Sequence, residues 1–597
     1  MFSAVTAKDE NVELIGIATR VLSLAGLLAL FLCLAILVAT PPAAGYELSI
    51  YGAYPLYFWF LIVFANAAGI VLLVTQATRE RSSVFLLYGV VFILLTNFIV
   101  VVLPFLRGYT FYGVDDAITH LGFVNEIIST GHISTQDFYP WSHLFVVLTS
   151  FISNLPQQSV LMATVPIMWL VYITGGFLLA RTISKSQAQA LLIFAFIAEI
   201  PIGLVSVEFY PVGISFLLVP IVLYAYVRAP SPEFRFVFIV FALALVFMHS
   251  FAALVLILIL VIHAAISLRY SRNRADSHRL GQRSLTAIFI VSVAFAAWLS
   301  GTFVYGVRLN DLLGFLSGAG ATSYVALLQS SASRASLSPV DYALQVLKTY
   351  GQTFIYVLLF ALGVALVFRT RRTERHGKLN NELFFGASFV IFEVTFLAFF
   401  ITGLSAFGNP VRLVAPALFF CAVFNGLIYH NSISNIDSKH RRLYLSVFTA
   451  ALVISSAFGM FTVHASPWVL QASHGLSDSE FTGAQFLATN SNIDTRIVSI
   501  GITIGSRARD LVYGPYEYAE EYGVMAPHFG YNASASYLDD HYNQSIVTVT
   551  QTDLQYYQEL WPTRGSFNST DFEMLNNDHA AELFYSNGGM SLYYIQG

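Results

Sequence analysis

Residues 84–104 read VFLLYGVVFILLTNFIVVVLP and contain no charged side chain. A helix rises about 1.5 Å per residue, so this segment is long enough to cross the ~30 Å hydrocarbon core of a bilayer. Similar apolar segments recur along the chain, which is 56% hydrophobic and only 11% charged. Soluble domains carry about 25% charged residues, so the composition predicts an integral membrane protein.

Apolar segments separated by short polar breaks predict about thirteen transmembrane helices. Their predicted positions are residues 21–39, 56–75, 84–104, 160–180, 188–206, 212–227, 236–248, 251–267, 285–305, 351–368, 383–403, 411–429 and 443–462. The first run loosely resembles a cleaved signal, but it exceeds the about 7 to 15 apolar residues of such signals, which favours an uncleaved span. The run from His143 to Leu155 is short and precedes Pro156, which indicates a re-entrant or interfacial helix.

The distribution of charge predicts the orientation in the cell membrane. Most of the 30 Lys and Arg residues fall near the N-terminus and in alternate connections, such as Arg269 to Arg283 and Arg369 to Lys378. Cytoplasmic loops carry this excess, so the N-terminus is predicted inside and the C-terminus outside. The net charge of -4 offers no basic surface for a nucleic acid, which we exclude as a partner. Cys33 and Cys421 lie in apolar runs and cannot form a cysteine zinc site.

The chain divides into two predicted domains. Residues 1–463 form the transmembrane domain, with an acidic outer loop at 105–142 and a second outer loop at 306–350. Residues 464–597 have the pattern of a small extracytoplasmic α/β domain. Its predicted features are a capping box at Ser477–Glu480, strands at 496–502 and 545–550, a closing hairpin, and glycosylation acceptors at Asn532, Asn543 and Asn568.

The acidic outer loop concentrates the chemically capable residues. A helix is predicted from Asp116 to Thr130, with Gly131 as its C-cap and with Asp116 and His120 on one face. We interpret Asp115 or Asp116 as a general base or metal ligand, with His120 and His143 as helpers. Capping and the helix dipole offer a structural explanation for two aspartates at a helix start.

Other candidates lie singly in the predicted outer connections, namely Glu47, Glu208, Tyr210, His249 and Arg412. Arg412 has the fork geometry that suits a phosphate, although an arginine at a helix end also extends to the membrane interface for its own solvation. His249 equally fits a hydrogen bond at a helix end. Glu47 fits either a solvated loop or a site.

Several of these motifs together resemble the GT-C class of polyprenyl-phosphate-dependent membrane glycosyltransferases. The motifs are Asp-Asp-x-x-x-His at 115–120, Gly-His-Ile at 131–133, Tyr-Pro-x-x-His at 139–143 and Arg412 near a late outer helix end. The segment at 45–55 and the closing Tyr-Ser-Asn-Gly-Gly hairpin resemble archaeal members. The acidic loop departs from the class by following the third span instead of the first, and a Trp-Trp-Asp signature is missing from the sequence.

The resemblance implies an inverting hexosyltransferase that moves a sugar from a dolichyl-phosphate donor to a glycan, lipid or protein acceptor outside the cell. Asp116 would be the base, Asp115 its partner or a metal ligand, and Glu47 a further acid. The implied lipid-phosphate contacts are His120, His143, His249, Arg412, Glu208 and Tyr210. A divalent cation, Mg²⁺ or Mn²⁺, stays open as a cofactor. The competing hypotheses are a transporter or lipid flippase and a non-catalytic membrane assembly protein.

Overall fold

The computed structural model shows a helical bundle followed by a small domain with a sheet. It describes residues 2–78, 84–200, 207–270, 275–302, 305–306, 310, 313–314, 338–371, 380–402, 410–435, 438–501, 503–514, 524–526, 528–531, 537–561 and 566–596. Within these ranges, eleven helices are long and apolar enough to span a bilayer. They are Gly16–Ala39, Leu56–Thr78, Val84–Leu106, Gln157–Ile183, Pro211–Arg228, Ser250–Arg269, Arg283–Ser300, Pro339–Phe368, Asn381–Thr402, Val411–Asn431 and Leu443–Thr462. The predicted polytopic membrane fold is confirmed.

Two of the thirteen predicted spans are shorter than a full membrane crossing. The prediction at 188–206 corresponds to the 12-residue helix Gln187–Ala198, and that at 236–248 to the 17-residue helix Pro232–Met248. Residues 201–206 lie outside the described part of the chain, as does most of the predicted outer loop at 306–350. The prediction of that loop as a unit therefore stays a prediction.

Sixteen helices of the membrane part are numbered in chain order. Helices α1 to α8 are Phe2–Ala39, Leu56–Thr78, Val84–Leu106, Asp116–Thr130, Pro140–Ser153, Gln157–Ile183, Gln187–Ala198 and Pro211–Leu217. Helices α9 to α16 are Val219–Arg228, Pro232–Met248, Ser250–Tyr270, Ala275–Ser300, Pro339–Arg371, Asn380–Thr402, Val414–Asn435 and Ser438–Thr462. A short 3-10 turn, Pro410–Leu413, precedes α15.

Helices α4 and α5 follow the third span and do not cross the bundle as full spans. Helix α4 ends at Gly131, whose φ of 73° is the left-handed conformation that favours glycine in a C-cap. Helix α5 has only 14 residues. It buries His143 while leaving Phe151 and Ile152 exposed, and such a two-faced helix suits the interface position that the sequence predicted for residues 143–155.

The described part of the C-terminal domain combines five short α-helices with a five-stranded mixed sheet of order β4-β3-β5-β7-β6. Strands β1 to β7 are Phe111–Tyr112, Gly475–Leu476, Arg496–Ser499, Val524–Met525, Ser545–Thr550, Ala581–Ser586 and Met590–Ile595. Helices α17 to α21 are Asp478–Asn490, Ala508–Tyr513, Tyr537–Tyr542, Gln551–Gln555 and Ser569–Asn577. The predicted capping box at Ser477 and the closing β6–β7 hairpin are confirmed.

Strand β1 joins the two parts of the molecule by pairing with β2 in an antiparallel ladder, Phe111 opposite Leu476. A buried apolar cluster continues from Leu121 in α4 to Leu511 in α18. Gly122 allows this close approach, because a Cβ atom there would lie 1.9 Å from the carbonyl oxygen of Asp510. The C-terminal domain therefore docks directly on the acidic loop. We call the end of the bundle that carries β1, α4 and residues 464–597 the domain face.

Candidate functional site

The acidic loop is held at the domain face by an arginine from the C-terminal domain. Arg507 donates from Nε to Oδ1 of Asp115 at 3.0 Å and from Nη1 to Asp510 at 3.5 Å. Asp510 also accepts a 2.8 Å hydrogen bond from the hydroxyl of Thr119 on α4. The sequence analysis missed Arg507 and Asp510, and a charged Ser-Arg-Ala-Arg-Asp run at 506–510 was the available signal.

Asp115 does not use its carboxylate to cap α4. It is the N-cap residue, with φ of 51°, but its side chain makes no capping hydrogen bond. Non-glycine residues adopt this φ only where the surroundings enforce it, and here the Arg507 contact holds the carboxylate. The structural alternative of a capping aspartate therefore does not describe what Asp115 does.

Asp116 begins α4 with a side chain that is 57% exposed. The loss of surrounding water raises the pKa of this carboxyl, and the neighbouring charge of Asp115 adds to the rise. The charges of Arg507 and Arg412 oppose it. A carboxylate with a raised pKa, partly open to solvent and flanked by two guanidinium groups, is suited to accepting a proton.

Two of the predicted histidines form a buried chain with an aspartate that the sequence analysis did not select as a site residue. Nδ1 of His120 lies 3.0 Å from Nε2 of His143, and Nδ1 of His143 lies 2.8 Å from Oδ2 of Asp137. The other oxygen of Asp137 accepts the backbone N–H of Tyr139 at 2.9 Å. All three side chains are buried.

His249 and Arg412 border this chain from the bundle. The ring of His249 stacks on Tyr139 with centroids 4.5 Å apart, and its Nδ1 accepts the backbone N–H of Phe251 at 3.1 Å. The hydrogen bond at a helix end, which the sequence left open, is thus present. Arg412 lies in the 3-10 turn before α15. Its charge lowers the pKa of both Asp116 and His120.

Glu208 and Tyr210 support the backbone of the acidic loop. Oε1 of Glu208 accepts a 2.7 Å hydrogen bond from Nδ1 of His474, next to β2. The hydroxyl of Tyr210 lies 3.4 Å from the carbonyl oxygen of Val114. Glu208 is fully buried. These contacts place both residues beside the aspartates, where they hold the loop in position.

Glu47 lies in a separate cluster. Its carboxylate accepts from Nε of Arg107 at 2.9 Å and from the hydroxyl of Tyr109 at 2.7 Å. Arg107 follows α3, so the pair ties the first connection to the start of the acidic loop. This saturated arrangement is that of a structural clamp, and none of the described contacts joins Glu47 to Asp115 or Asp116.

A divalent cation at Asp115 or Asp116 stays a prediction. Within the residues that the structure describes, no group of three or more His, Cys, Asp or Glu side chains is placed to hold a metal ion. Arg507 binds Oδ1 of Asp115. We derive no step through a metal.

Two of the three predicted glycosylation acceptors lie in the described part of the chain. Asn543 is exposed. Asn568 is the N-cap of α21, where its Oδ1 accepts the backbone N–H of Asp571 at 3.1 Å. Asn532 lies outside the described residues. Glycosylation at all three sites, and the extracytoplasmic position of the domain, stay predictions.

Comparison with known proteins finds similarity to solved structures but none in sequence. No family model matches the sequence, and no curated protein matches it. The fold is similar to the crystal structure of ArnT from Cupriavidus metallidurans bound to undecaprenyl phosphate, with a TM-score of 0.44 and 10% sequence identity. The alignment covers 84% of this chain and 97% of that chain. At this identity and score, the likeness transfers no residue role or substrate.

Proposed function

We propose that this protein is a membrane glycosyltransferase that transfers a sugar from a polyprenyl-phosphate donor to an acceptor hydroxyl at the domain face. The observation that carries the proposal is the convergence of a partly exposed Asp116 with Arg412 and Arg507 at the end of a membrane bundle. Sugar transfer from a lipid-linked sugar phosphate requires a base for the acceptor hydroxyl and cations for the leaving phosphate. Both must lie at the membrane surface, where the lipid phosphate is.

Asp116 is the proposed base. Its raised pKa makes it a stronger proton acceptor than an ordinary aspartate, while the two guanidinium groups keep it ionised near neutral pH. Asp115 is already paired with Arg507, so its role in the proposal is to position Arg507 and to add negative charge beside Asp116.

Arg412 is the proposed phosphate ligand. A guanidinium binds two phosphate oxygens at once, and the charge of Arg412 acts on both Asp116 and His120. His249 lies behind Tyr139 on the same side of the site. A single in-line displacement between Asp116 and Arg412 inverts the anomeric carbon, and we propose a dolichyl-type hexose donor on the extracytoplasmic side.

The direct test measures sugar transfer by the purified full chain in liposomes that contain labelled polyprenyl-phosphate sugars. Undecaprenyl and dolichyl carriers are compared, with glycan, lipid and peptide acceptors. Asp116→Asn is expected to lower transfer at least about 100-fold, the scale of general base catalysis. Asp478→Asn is the matched control, because Asp478 is also an exposed aspartate in the first turn of a helix. Equal transfer by the two variants would overturn the assignment.

A second candidate function is transport, and one buried acid in the bundle favours it. Glu199 is 1% exposed, and its Oε2 accepts a 2.9 Å hydrogen bond from the amide of Asn66, which also bonds to Ser456. Acids at membrane depth often mark ion or substrate pathways. Glu199→Gln should leave sugar transfer intact if the protein is a transferase, and should abolish lipid or ion flux in liposomes if it is a transporter.

A further inference from the structure

The His120–His143–Asp137 chain has a defined order of protons. Asp137 accepts a backbone N–H on one oxygen, so its other oxygen is free to accept from Nδ1 of His143. The carboxylate of Asp137 is the acceptor in both of these hydrogen bonds. Nδ1 of His143 therefore carries a proton, and only Nε2 of His143 faces His120.

The hydrogen bond between His120 and His143 contains one proton. Which of the two rings carries that proton decides whether Nε2 of His120 is a lone pair or an N–H group. When the chain is neutral, His120 donates from Nδ1 and its Nε2 is a lone pair. When the chain holds one more proton, His143 donates from Nε2 as an imidazolium paired with Asp137, and His120 presents Nε2–H. In the described residues, no protein group forms a hydrogen bond with Nε2 of His120.

The surroundings keep the positive charge away from His120 itself. Groups that face His120 from the neighbouring elements are His143 on α5, His249 after α10 and Arg412 before α15. Burial lowers the pKa of His120 well below its ordinary value, and the electrostatic effect of these neighbours adds to the fall. Asp137 neutralises a charge on His143 at 2.8 Å but has no direct contact with His120.

We propose that this chain is a proton relay that delivers a proton from the buried His143–Asp137 pair, through Nε2 of His120, to the leaving phosphate of the donor. The proposal rests on the proposed function and assigns the acid that complements the base Asp116. The relay explains why a fully buried aspartate and histidine lie behind a side chain that borders the site.

The step balances in atoms and charge. The acceptor oxygen bonds to the anomeric carbon and gives its proton to Asp116, while the bond from that carbon to the phosphate oxygen breaks and its electron pair stays on the phosphate. His120 gives the Nε2 proton to that oxygen and takes the proton of His143 on Nδ1. The products are the glycosylated acceptor, a polyprenyl phosphate monoanion, protonated Asp116 and a neutral relay. Proton exchange with water restores the start.

The test compares Asp137→Asn with wild type in the pH profile of kcat/KM for transfer. The relay works only while it holds the extra proton, so activity should fall as pH rises and that proton is lost. Without the carboxylate, that limb should move to lower pH, and transfer at neutral pH should fall about 100-fold. Asp137→Asn should reduce transfer much less when the donor has a phosphorothioate leaving group, because that group leaves more readily without a proton. Ser142→Ala is the control, since Ser142 is buried beside His143 and its hydroxyl forms no hydrogen bond within the described residues.

A second measurement does not depend on sugar transfer. Diethyl pyrocarbonate acylates only unprotonated imidazole nitrogen, so mass spectrometry of His120 across pH follows the relay state in the full chain. Asp137→Asn should move the onset of acylation to lower pH. An unchanged onset overturns the relay even if transfer is found. A shifted onset in a chain that transfers no sugar overturns the proposed function and the delivery to phosphate but leaves the proton chain standing.

Discussion

Arg507 donates from Nε and Nη2 to the same oxygen of Asp115, across 392 positions of sequence, at 3.0 and 2.5 Å. The contact joins the C-terminal domain to the acidic loop at the one place where the loop backbone adopts a positive φ outside glycine. The C-terminal domain is therefore part of the candidate site, and its removal would leave Asp115 without this partner.

The first prediction concerns Arg507→Gln. The charge of Arg507 lowers the pKa of Asp116, so its loss should raise that pKa and leave a smaller fraction of the carboxyl ionised at neutral pH. The limb of the kcat/KM profile that rises with pH should move to higher pH, with reduced transfer below it. Arg496→Gln in β3 is the control for a lost exposed arginine in the same domain. An unmoved limb would show that Arg507 acts on the fold alone.

A second prediction concerns the close approach at Gly122. A Cβ atom would lie 1.9 Å from the carbonyl oxygen of Asp510, so Gly122→Ala must displace α18 from α4. Overpacking of this kind costs about 1–3 kcal/mol, and here it also moves Arg507 away from Asp115. Thermal unfolding in detergent should occur at a lower temperature, and transfer should fall. Gly45→Ala is the control, because no atom lies within 4 Å of its added Cβ. Equal behaviour of both variants would argue against the packing.

A third prediction separates a clamp from a catalytic role at Glu47. Glu47→Gln leaves Arg107 without its anionic partner, which should lower the free energy of unfolding by about 2 kcal/mol. Folded molecules should keep their turnover, because Glu47 contacts neither aspartate in the described structure. Arg107→Gln combined with Glu47→Gln should recover part of the stability. A large loss of kcat at unchanged stability would restore Glu47 to the site.

The fourth prediction concerns pH and the C-terminal domain. Burial raises the pKa of Asp553 to about 7, from an ordinary value of 3.8. The unfolded chain releases this proton first, so stability is highest at low pH and falls as pH rises from about 4 to about 7, by up to about 1.4 kcal/mol per unit. The unfolding temperature of the full chain should follow this slope.

Asp553→Asn should flatten the slope and stabilise the domain at neutral pH, because an amide oxygen still accepts from Thr550. Asp571→Asn is the matched control for Asp553→Asn, because Asp571 occupies the same capping-box position in α21. This variant should keep both its cap and the slope, because its amide oxygen also still accepts from the backbone of Asn568. A slope that persists without Asp553 would assign it to another group.

The sequence could predict those features of the fold that depend on residues close together in the chain. Span length, absence of charge, the glycine cap after Thr130 and the capping box at Ser477 each depend on neighbouring residues, and the structure has all of them. The helix Gln187–Ala198 was predicted too long, because apolar residues resume after Glu199 and Pro201 and keep the average composition apolar.

Only the part of the candidate site that comes from residues 115–143 was predictable from the sequence. Asp115, Asp116, His120 and His143 fall in one short loop and could be grouped from the sequence. Arg507 could not, because its partner lies 392 residues away and no local pattern links them. Asp137 was within reach, six positions before His143, but only the fold shows that the two rings and the carboxylate line up.

The ladder between β1 and β2 also bears on how the protein is made. Its two strands lie on either side of thirteen of the helices in the chain, from α4 to α16. While helices α4 to α16 are being synthesised and inserted, strand β2 and Arg507 do not yet exist. The acidic loop then lacks both partners. The candidate site therefore assembles only after the last helix is inserted. A chain stalled during insertion lacks the contact between Asp115 and Arg507.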